Sequence, residues 1–289
     1  MAYTIDLRGS RAKLKRGKEH IDAFHKAVED KLGPHPILYP LRRQFETDQG
    51  AVIYRIDGII EIDDNWSLII GDAVHNLRGA LDHLAWQLAL RYFKGVEANA
   101  MKAKASIMFP IVHHKNAWPK ERYRTYMMKM DAAKLKRFQP FNVDPVARGM
   151  RLPHPLEMLG SFSNADKHRA IQLTYSHAAV ASWDAPQFRD CVLNGVIIFS
   201  YIGATPKPGD EVCRIPVRKT GNHPDVDFHT TLSGFIAVRE HWNVEDALTL
   251  MAQRIEAALN QFPALVIAAH SAALGSAWYL WQVYNCQKS

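Results

Sequence analysis

The stretch GDAVHNLRGALDHLAWQLAL, residues 71–90, constrains the fold of this chain more than any other part of its sequence. At 100° per residue, its leucines and most of its alanines fall on one broad face of a helix. An apolar face of this width predicts a long helix that packs on a core. The residues Asp63-Asp64-Asn65 supply capping side chains for a start near Trp66, and the pattern ends near Tyr92.

The opposite face of this helix is polar, but it lacks the lysines and glutamates of an ordinary surface helix. It carries Asp72, Asn76, Gly79, His83 and Trp86, with His75 and Asp82 beside them and Arg78 in the middle of the stretch. A mid-helix glycine costs up to about 1 kcal/mol relative to alanine, which is better tolerated where another backbone comes close. We therefore expect this polar face to be enclosed by another part of the protein or by a second subunit.

The first third of the chain predicts one more helix and a hairpin. A helix is expected over residues 10–32, with Ser10 as its N-cap and a stop at Gly33 before Pro34. Residues 39–62 alternate between apolar and polar side chains and have a turn signal at Asp48-Gln49-Gly50. This pattern predicts a β-hairpin, with a third short strand after Gly58.

The rest of the chain changes from helices to strands and back to a helix. A charged helix is expected to end near Phe138, and another helix to run from Pro155 through residue 180. From residue 182 to 238, segments rich in β-branched residues are separated by Gly/Pro turns and predict antiparallel strands. An amphipathic helix capped by Asn243 follows, with acidic residues in its first turn.

These elements indicate an α+β protein with a helical core, a β-hairpin and an inserted antiparallel sheet. We divide the chain into a mainly helical core with the hairpin at 1–181, an antiparallel β segment at 182–240, and C-terminal helices that pack on the core at 241–289. The apolar residues 262–286 approach the length of a membrane span, but His270, Ser271, Ser276 and Gln282 interrupt them. We expect this segment to form a packed helix and not to associate with a membrane.

Composition narrows the class of protein. The 289 residues are 47% hydrophobic and carry a net charge of +7, which fits a globular core and permits phosphate-bearing partners. Cysteines 191, 213 and 286 have no CxxC spacing, which favours reduced thiols in the cytoplasm over a disulfide framework. No nucleotide-binding glycine loop and no GxSxG motif occurs in the sequence.

The spacing of Arg78 and His83, with four residues between them, resembles the RX4-6H motif of the HEPN superfamily. These are small helical proteins that include metal-independent ribonucleases of toxin–antitoxin and phage-defence systems. The resemblance implies a homodimer that acts on RNA, in which His83 handles the proton of the 2′-hydroxyl and Arg78 holds the phosphate. It further implies that His75 and Asn76 orient the phosphate or the second imidazole.

A second polar cluster, SNADKHRAI, occupies residues 163–171. Together with HNLRGALDH it resembles a pair of motifs found in widespread bacterial proteins of uncharacterised function. The resemblance implies that the two segments face one another, with Asp166 pairing with Arg78 or accepting a proton from His75 or His83. It also implies an anion contact made by Lys167, His168 and Arg169.

Two other interpretations of the same residues stay open. Asp72, His75 and His83, with His168 from the second cluster, have the donor types of a zinc or non-haem iron site, although no HExxH motif occurs. Alternatively, the polar side chains form a buried network that joins two helices and specifies assembly without any chemistry.

Overall fold

The computed structural model describes residues 3–33, 39–46, 50–120, 124–142, 153–168, 171–200, 207–228, 230–238 and 242–262. The chain has an α+β fold, as predicted. The α-helices in this part of the chain are α1 (Arg8–Leu32), α2 (Asp64–Tyr92), α3 (Glu97–Lys102), α4 (Lys129–Lys136), α5 (Pro155–His168) and α6 (Val244–Leu259). The strands are β1 (Leu41–Glu46), β2 (Ala51–Ile56), β3 (Leu173–Trp183), β4 (Gln187–Arg189), β5 (Cys191–Leu193), β6 (Ile198–Phe199), β7 (Glu211–Lys219), β8 (Asp225–Asp227), β9 (Thr230–Val238) and β10 (Trp242–Asn243).

Helix α2 lies at the centre of the core, and its predicted apolar face is confirmed. The leucines and alanines of that face are all fully buried, and α2 packs against α1, α5 and α6. The close approach of α1 depends on Gly17, because a Cβ there would come within 2.8 Å of the Leu77 side chain. Helix α1 begins two residues earlier than predicted, so Ser10 is a buried residue inside the helix and not its N-cap.

The predicted caps of the two other core helices are confirmed. The Asp63 side chain accepts a hydrogen bond from the backbone N–H of Asn65 at the start of α2. The Asn243 side chain does the same for Glu245 and Asp246 at the start of α6. Each cap satisfies N–H groups that have no partner inside their own helix.

The strands form antiparallel sheets beside the helices. The predicted hairpin is β1–β2, and β2 pairs with β7, which in turn pairs with β5 and β6. A second sheet has the order β10-β9-β3, and β4 pairs with β8. The sheets thus join the hairpin near the N-terminus to strands that come much later in the chain.

Two predicted helices and one predicted strand are corrected by the structure. The helix expected from Pro155 to residue 180 ends at His168, and β3 occupies Leu173–Trp183, so the β region begins before residue 182. Pairing with β9 satisfies the backbone of this segment, and tertiary pairing outweighs the local pattern. The charged helix before Phe138 is reduced to α4 and a 3₁₀ turn that contains Pro119, since proline lacks a backbone donor. Residues 57–63 form no strand after the hairpin.

Some predictions concern residues outside the described ranges. These are the hairpin turn at Asp48-Gln49 and the C-terminal segment from residue 263 onward. Within the described residues, no helix is both long and apolar enough to cross a membrane.

Candidate functional site

Arg78 and Asp82 bind the two backbone polar groups of Phe109, its carbonyl and its N–H. The Asp82 carboxylate accepts a hydrogen bond of 2.9 Å from the Phe109 N–H, and Arg78 Nη2 donates one of 3.0 Å to the Phe109 carbonyl. The two side chains also bind each other, with 3.1 Å between Arg78 Nε and Asp82 Oδ2. Their four-residue spacing places both on one flank of α2, where such a pair can form.

The segment around Phe109 is anchored on its other side by Gln139. The buried Gln139 amide accepts a hydrogen bond from the Val112 N–H and donates one to the Pro110 carbonyl. The Phe109 ring is buried in the core. Residues 109–112 are therefore fixed against α2 by side chains that bind their backbone, and not by a regular element.

A cleft with a volume of about 260 Å³ lies between Arg78, this segment and α5. Its lining is mainly polar and combines a guanidinium, an imidazole, a carboxylate, hydroxyls and an amide. The lining residues are Arg78, Met108, Phe109, Ile111, His113, Glu157, Gly160, Ser161, Ser163 and Asn164. We call this feature the Arg78 cleft.

His113 and Glu157 face each other in the Arg78 cleft. His113 Nδ1 lies 3.8 Å from Glu157 Oε1, and both side chains are about half exposed. Glu157 is in the first turn of α5, where a carboxylate is favoured by the helix dipole.

Next to this pair, His154 is a structural residue at the start of α5. It is buried, and its Nδ1 accepts a hydrogen bond from the Leu156 N–H. Burial, with smaller contributions from Arg254 and His113, lowers the pKa of His154 to about 4. At neutral pH this imidazole is therefore uncharged.

The polar face of α2 is only partly enclosed within this chain, and its enclosure by a second subunit stays a prediction. Asp72, His75 and His83 are exposed, and Asn76 is the buried member of the face. The Asn76 side chain accepts a hydrogen bond from Lys13 and donates one to the Asp72 carbonyl.

Among the described residues of this chain, no backbone comes close to Gly79. A Cβ at Gly79 would meet side-chain carbons of Lys13 at 3.6 Å or more, which is ordinary contact. The close approaches to α2 occur at Gly9 and Gly17 of α1 and at Gly71 of α2 itself.

The two residues of the HEPN-like motif lie on different flanks of α2. Positions five apart on a helix are separated by about 140° around its axis. Arg78 points to the cleft, whereas the His83 ring lies against α1, with Nδ1 at 2.7 Å from where a Cβ on Gly9 would be. His83 does not line the Arg78 cleft.

The two polar segments face one another, as predicted, but with different partners. Asp166 lies against Gly71, its Cγ 3.2 Å from where a Cβ of that glycine would be, and Asn164 shares the cleft with Arg78. The carboxylate that pairs with Arg78 is Asp82 and not Asp166. The side chains of Lys167 and His168, and all of Arg169, lie outside the described residues.

The donor set considered for a metal does not converge in this chain. Among the described residues, no group of three or more His, Cys, Asp or Glu side chains is placed to hold a metal ion. Asp72, His75 and His83 extend along an exposed face, and the His168 side chain is outside the described part, so zinc or iron binding stays a prediction.

Sequence reasoning did not assign roles to several cleft residues. Glu157, Ser161 and His113 belong to neither of the two sequence motifs. The Arg78–Asp82 pair did have a signal, because Arg and Asp four residues apart on a helix are expected to interact. Nothing in the sequence indicated that Phe109 would be their shared partner.

Comparison with models of known protein families, with curated proteins and with solved structures finds no match. The resemblance to the HEPN superfamily therefore depends on the spacing of Arg78 and His83 alone.

Proposed function

We propose that the protein is an RNA-binding, metal-independent endoribonuclease of HEPN-like type, cytoplasmic and homodimeric, with a role in a toxin or phage-defence system. RNA binds at the Arg78 cleft, through a phosphodiester group. The observation that carries this proposal is the placement of the motif arginine, which is held rigidly by protein contacts while it lines a polar cleft.

The guanidinium of Arg78 retains donors for a ligand. Its Nε and Nη2 bind Asp82 and Phe109, whereas Nη1 makes no hydrogen bond with the described residues. A guanidinium is a preferred partner of phosphate oxygens, and one that is already fixed loses little entropy on binding. The Ser161 hydroxyl and the Asn164 amide add neutral donors on the opposite wall, from α5.

The charge of the chain supports an anionic partner at longer range. The net charge is +7, and the first half of α1 is densely basic. Some of these charges are neutralised, as in the Arg16–Glu19 and Lys18–Glu256 pairs. Arg11 is exposed and forms no ion pair with the described residues. Such a surface attracts RNA before specific contacts form.

Binding and cleavage of a labelled single-stranded RNA in the presence of EDTA test this function. We expect Asn164→Ala to weaken binding about tenfold, because one hydrogen bond contributes about 1 kcal/mol or somewhat more. The matched control is Asn99→Ala, at an exposed asparagine of α3 that does not line the cleft. A wild-type protein that neither binds nor cleaves RNA, or whose cleavage requires the metal that EDTA removes, contradicts the proposal.

A small anionic ligand is the second candidate, and the size of the cleft favours it. Its volume of about 260 Å³ is near the lower end of small-molecule pockets, which begin at roughly 300 Å³. Calorimetric titration with inorganic phosphate and with mononucleotides distinguishes the two functions. Saturable binding of a mononucleotide without any RNA cleavage would select the small ligand.

A further inference from the structure

We infer that His113, and not His83 of the motif, is the acid–base catalytic residue, and that Glu157 positions its imidazole. The inference rests on the proposed function, because it assigns the proton-transfer step of RNA cleavage at the Arg78 cleft. It follows from where the histidines of the described chain lie relative to the motif arginine.

Among the described residues, the cleft is lined by one arginine and one histidine, which come from different parts of the chain. Arg78 comes from α2, and His113 from the segment that Arg78 and Asp82 hold in place. Both side chains line the same space, so a phosphodiester bound to Arg78 would have the His113 ring beside it. His83 is on the other flank of α2, against Gly9.

Glu157 is placed to orient the His113 ring. Its carboxylate oxygen lies 3.8 Å from His113 Nδ1, a separation that is often longer before a substrate binds than in the reacting complex. A proton on Nδ1, directed at this carboxylate, leaves Nε2 as the unprotonated nitrogen that can accept a proton. Glu157 does not need to contact the RNA for this role.

Among the described residues, the other charged side chains that line the cleft are Arg78, from α2, and Glu157, from α5. Asp82 binds the neighbouring Phe109 N–H, and His154 is close enough to His113 for the two to influence each other's charge. His154 is buried and does not line the cleft, so it cannot reach a substrate.

The chemical step balances with these groups alone. His113 Nε2 takes the proton of the ribose 2′-hydroxyl as the 2′-oxygen bonds to phosphorus. The bond between phosphorus and the 5′-oxygen breaks, and the imidazolium returns the proton to that oxygen. The products are a 2′,3′-cyclic phosphate and a 5′-hydroxyl end, and Arg78 stabilises the charge on the phosphoryl oxygens throughout.

Cleavage rates of four proteins test the assignment: wild type, His113→Ala, His83→Ala and His114→Ala. General acid–base catalysis contributes about 10²- to 10⁴-fold, so a loss of this size is expected for His113→Ala, with RNA affinity within about twofold of wild type. Added imidazole should restore part of that rate. His114→Ala is the matched control, since His114 is the next residue, is exposed and does not line the cleft.

Glu157 has its own test, because a carboxylate in the first turn of α5 also stabilises the helix. We expect Glu157→Gln to lower kcat about tenfold with KM unchanged, and Glu157→Asp to recover part of it. If Glu157 had a purely structural role, Glu157→Gln would lower the melting temperature and would not lower kcat selectively.

The outcomes separate the inference from the proposed function. If the wild type cleaves RNA, and His83→Ala removes that activity while His113→Ala keeps it, the assignment to His113 is overturned and the proposed function stands. If the wild type neither binds nor cleaves RNA, both are overturned. A 5′-phosphate product end would also overturn the step described above.

Discussion

Replacing Asp82 by alanine should destabilise the protein substantially, because this carboxylate has two partners that are hard to satisfy in any other way. It accepts hydrogen bonds from the Phe109 N–H and from Arg78 Nε. The Arg78 side chain is only 13% exposed, and that of Asp82 is 31% exposed. Water can therefore replace the carboxylate only in part.

The magnitude follows from these contacts. An unpartnered Phe109 N–H costs about 1–3 kcal/mol. The loss of the carboxylate that pairs with the Arg78 guanidinium adds about 1 kcal/mol. Alanine recovers about 0.5 kcal/mol through its higher helix propensity. The expected net loss in the free energy of unfolding is about 1.5–3.5 kcal/mol, or roughly 3–14 °C in melting temperature for a chain of this size.

The assays are urea denaturation and hydrogen–deuterium exchange of the peptide that contains residues 107–112. The Phe109 amide should exchange faster in Asp82→Ala than in wild type. Asp82→Asn, which keeps an oxygen for the Phe109 N–H, should lose only about 1 kcal/mol. The matched control is Asp72→Ala, at an exposed aspartate of the same helix, with an expected change within about 0.5 kcal/mol. A loss in Asp82→Ala no larger than in the control, with unchanged exchange at Phe109, would refute the reasoning.

Three further predictions concern other parts of the fold. In the unfolded chain His154 has its ordinary pKa of 6.5, whereas in the folded protein its pKa is about 4. Between these pH values the unfolded chain binds a proton that the folded protein does not. The free energy of unfolding should therefore fall as the pH drops from 6.5 to 4, by at most about 1.4 kcal/mol per pH unit. His154→Asn, which keeps a capping side chain, should flatten this dependence in urea titrations at several pH values. Burial raises the pKa of the Cys213 thiol to about 12, so its reactive thiolate form should be scarce. Native protein treated with iodoacetamide should therefore show no alkylation of Cys213 by peptide mass spectrometry. Rapid alkylation would contradict its burial. Asn243→Ala should lower the free energy of unfolding by about 1 kcal/mol through loss of the α6 cap, and no change in thermal denaturation would contradict that role.

The features that could be predicted from sequence are those that depend on neighbours along the chain. The apolar face of α2 and the caps Asp63 and Asn243 follow from periodicity and from local hydrogen bonding, and all are confirmed. The strand β3 could not be predicted in this way. Its residues gain their backbone partners from β9, which is far along the chain.

The candidate site also combines features that depend on local sequence with features that depend on the tertiary fold. Arg78 was identified from a spacing within one helix, and the facing of the two polar segments came from a resemblance between motifs. The Arg78 cleft also needs Phe109, His113 and Glu157, which come together only when the segment with Phe109 and His113 packs beside α2 and α5. Contacts of this kind depend on the tertiary fold, and no local pattern encodes them.

Under the proposed function, one set of contacts gives Arg78 both a structural and a functional role. The bonds to Asp82 and Phe109 fix the guanidinium, and they fix the segment that carries His113. A rigid donor beside a fixed imidazole is what pre-organised binding requires. Asp82→Ala should therefore weaken both stability and RNA binding, whereas Asn164→Ala, at an exposed cleft residue, should weaken binding alone. If both variants lost binding and stability in the same proportion, the cleft would be only a consequence of packing; a separation of the two effects would show that it is a site.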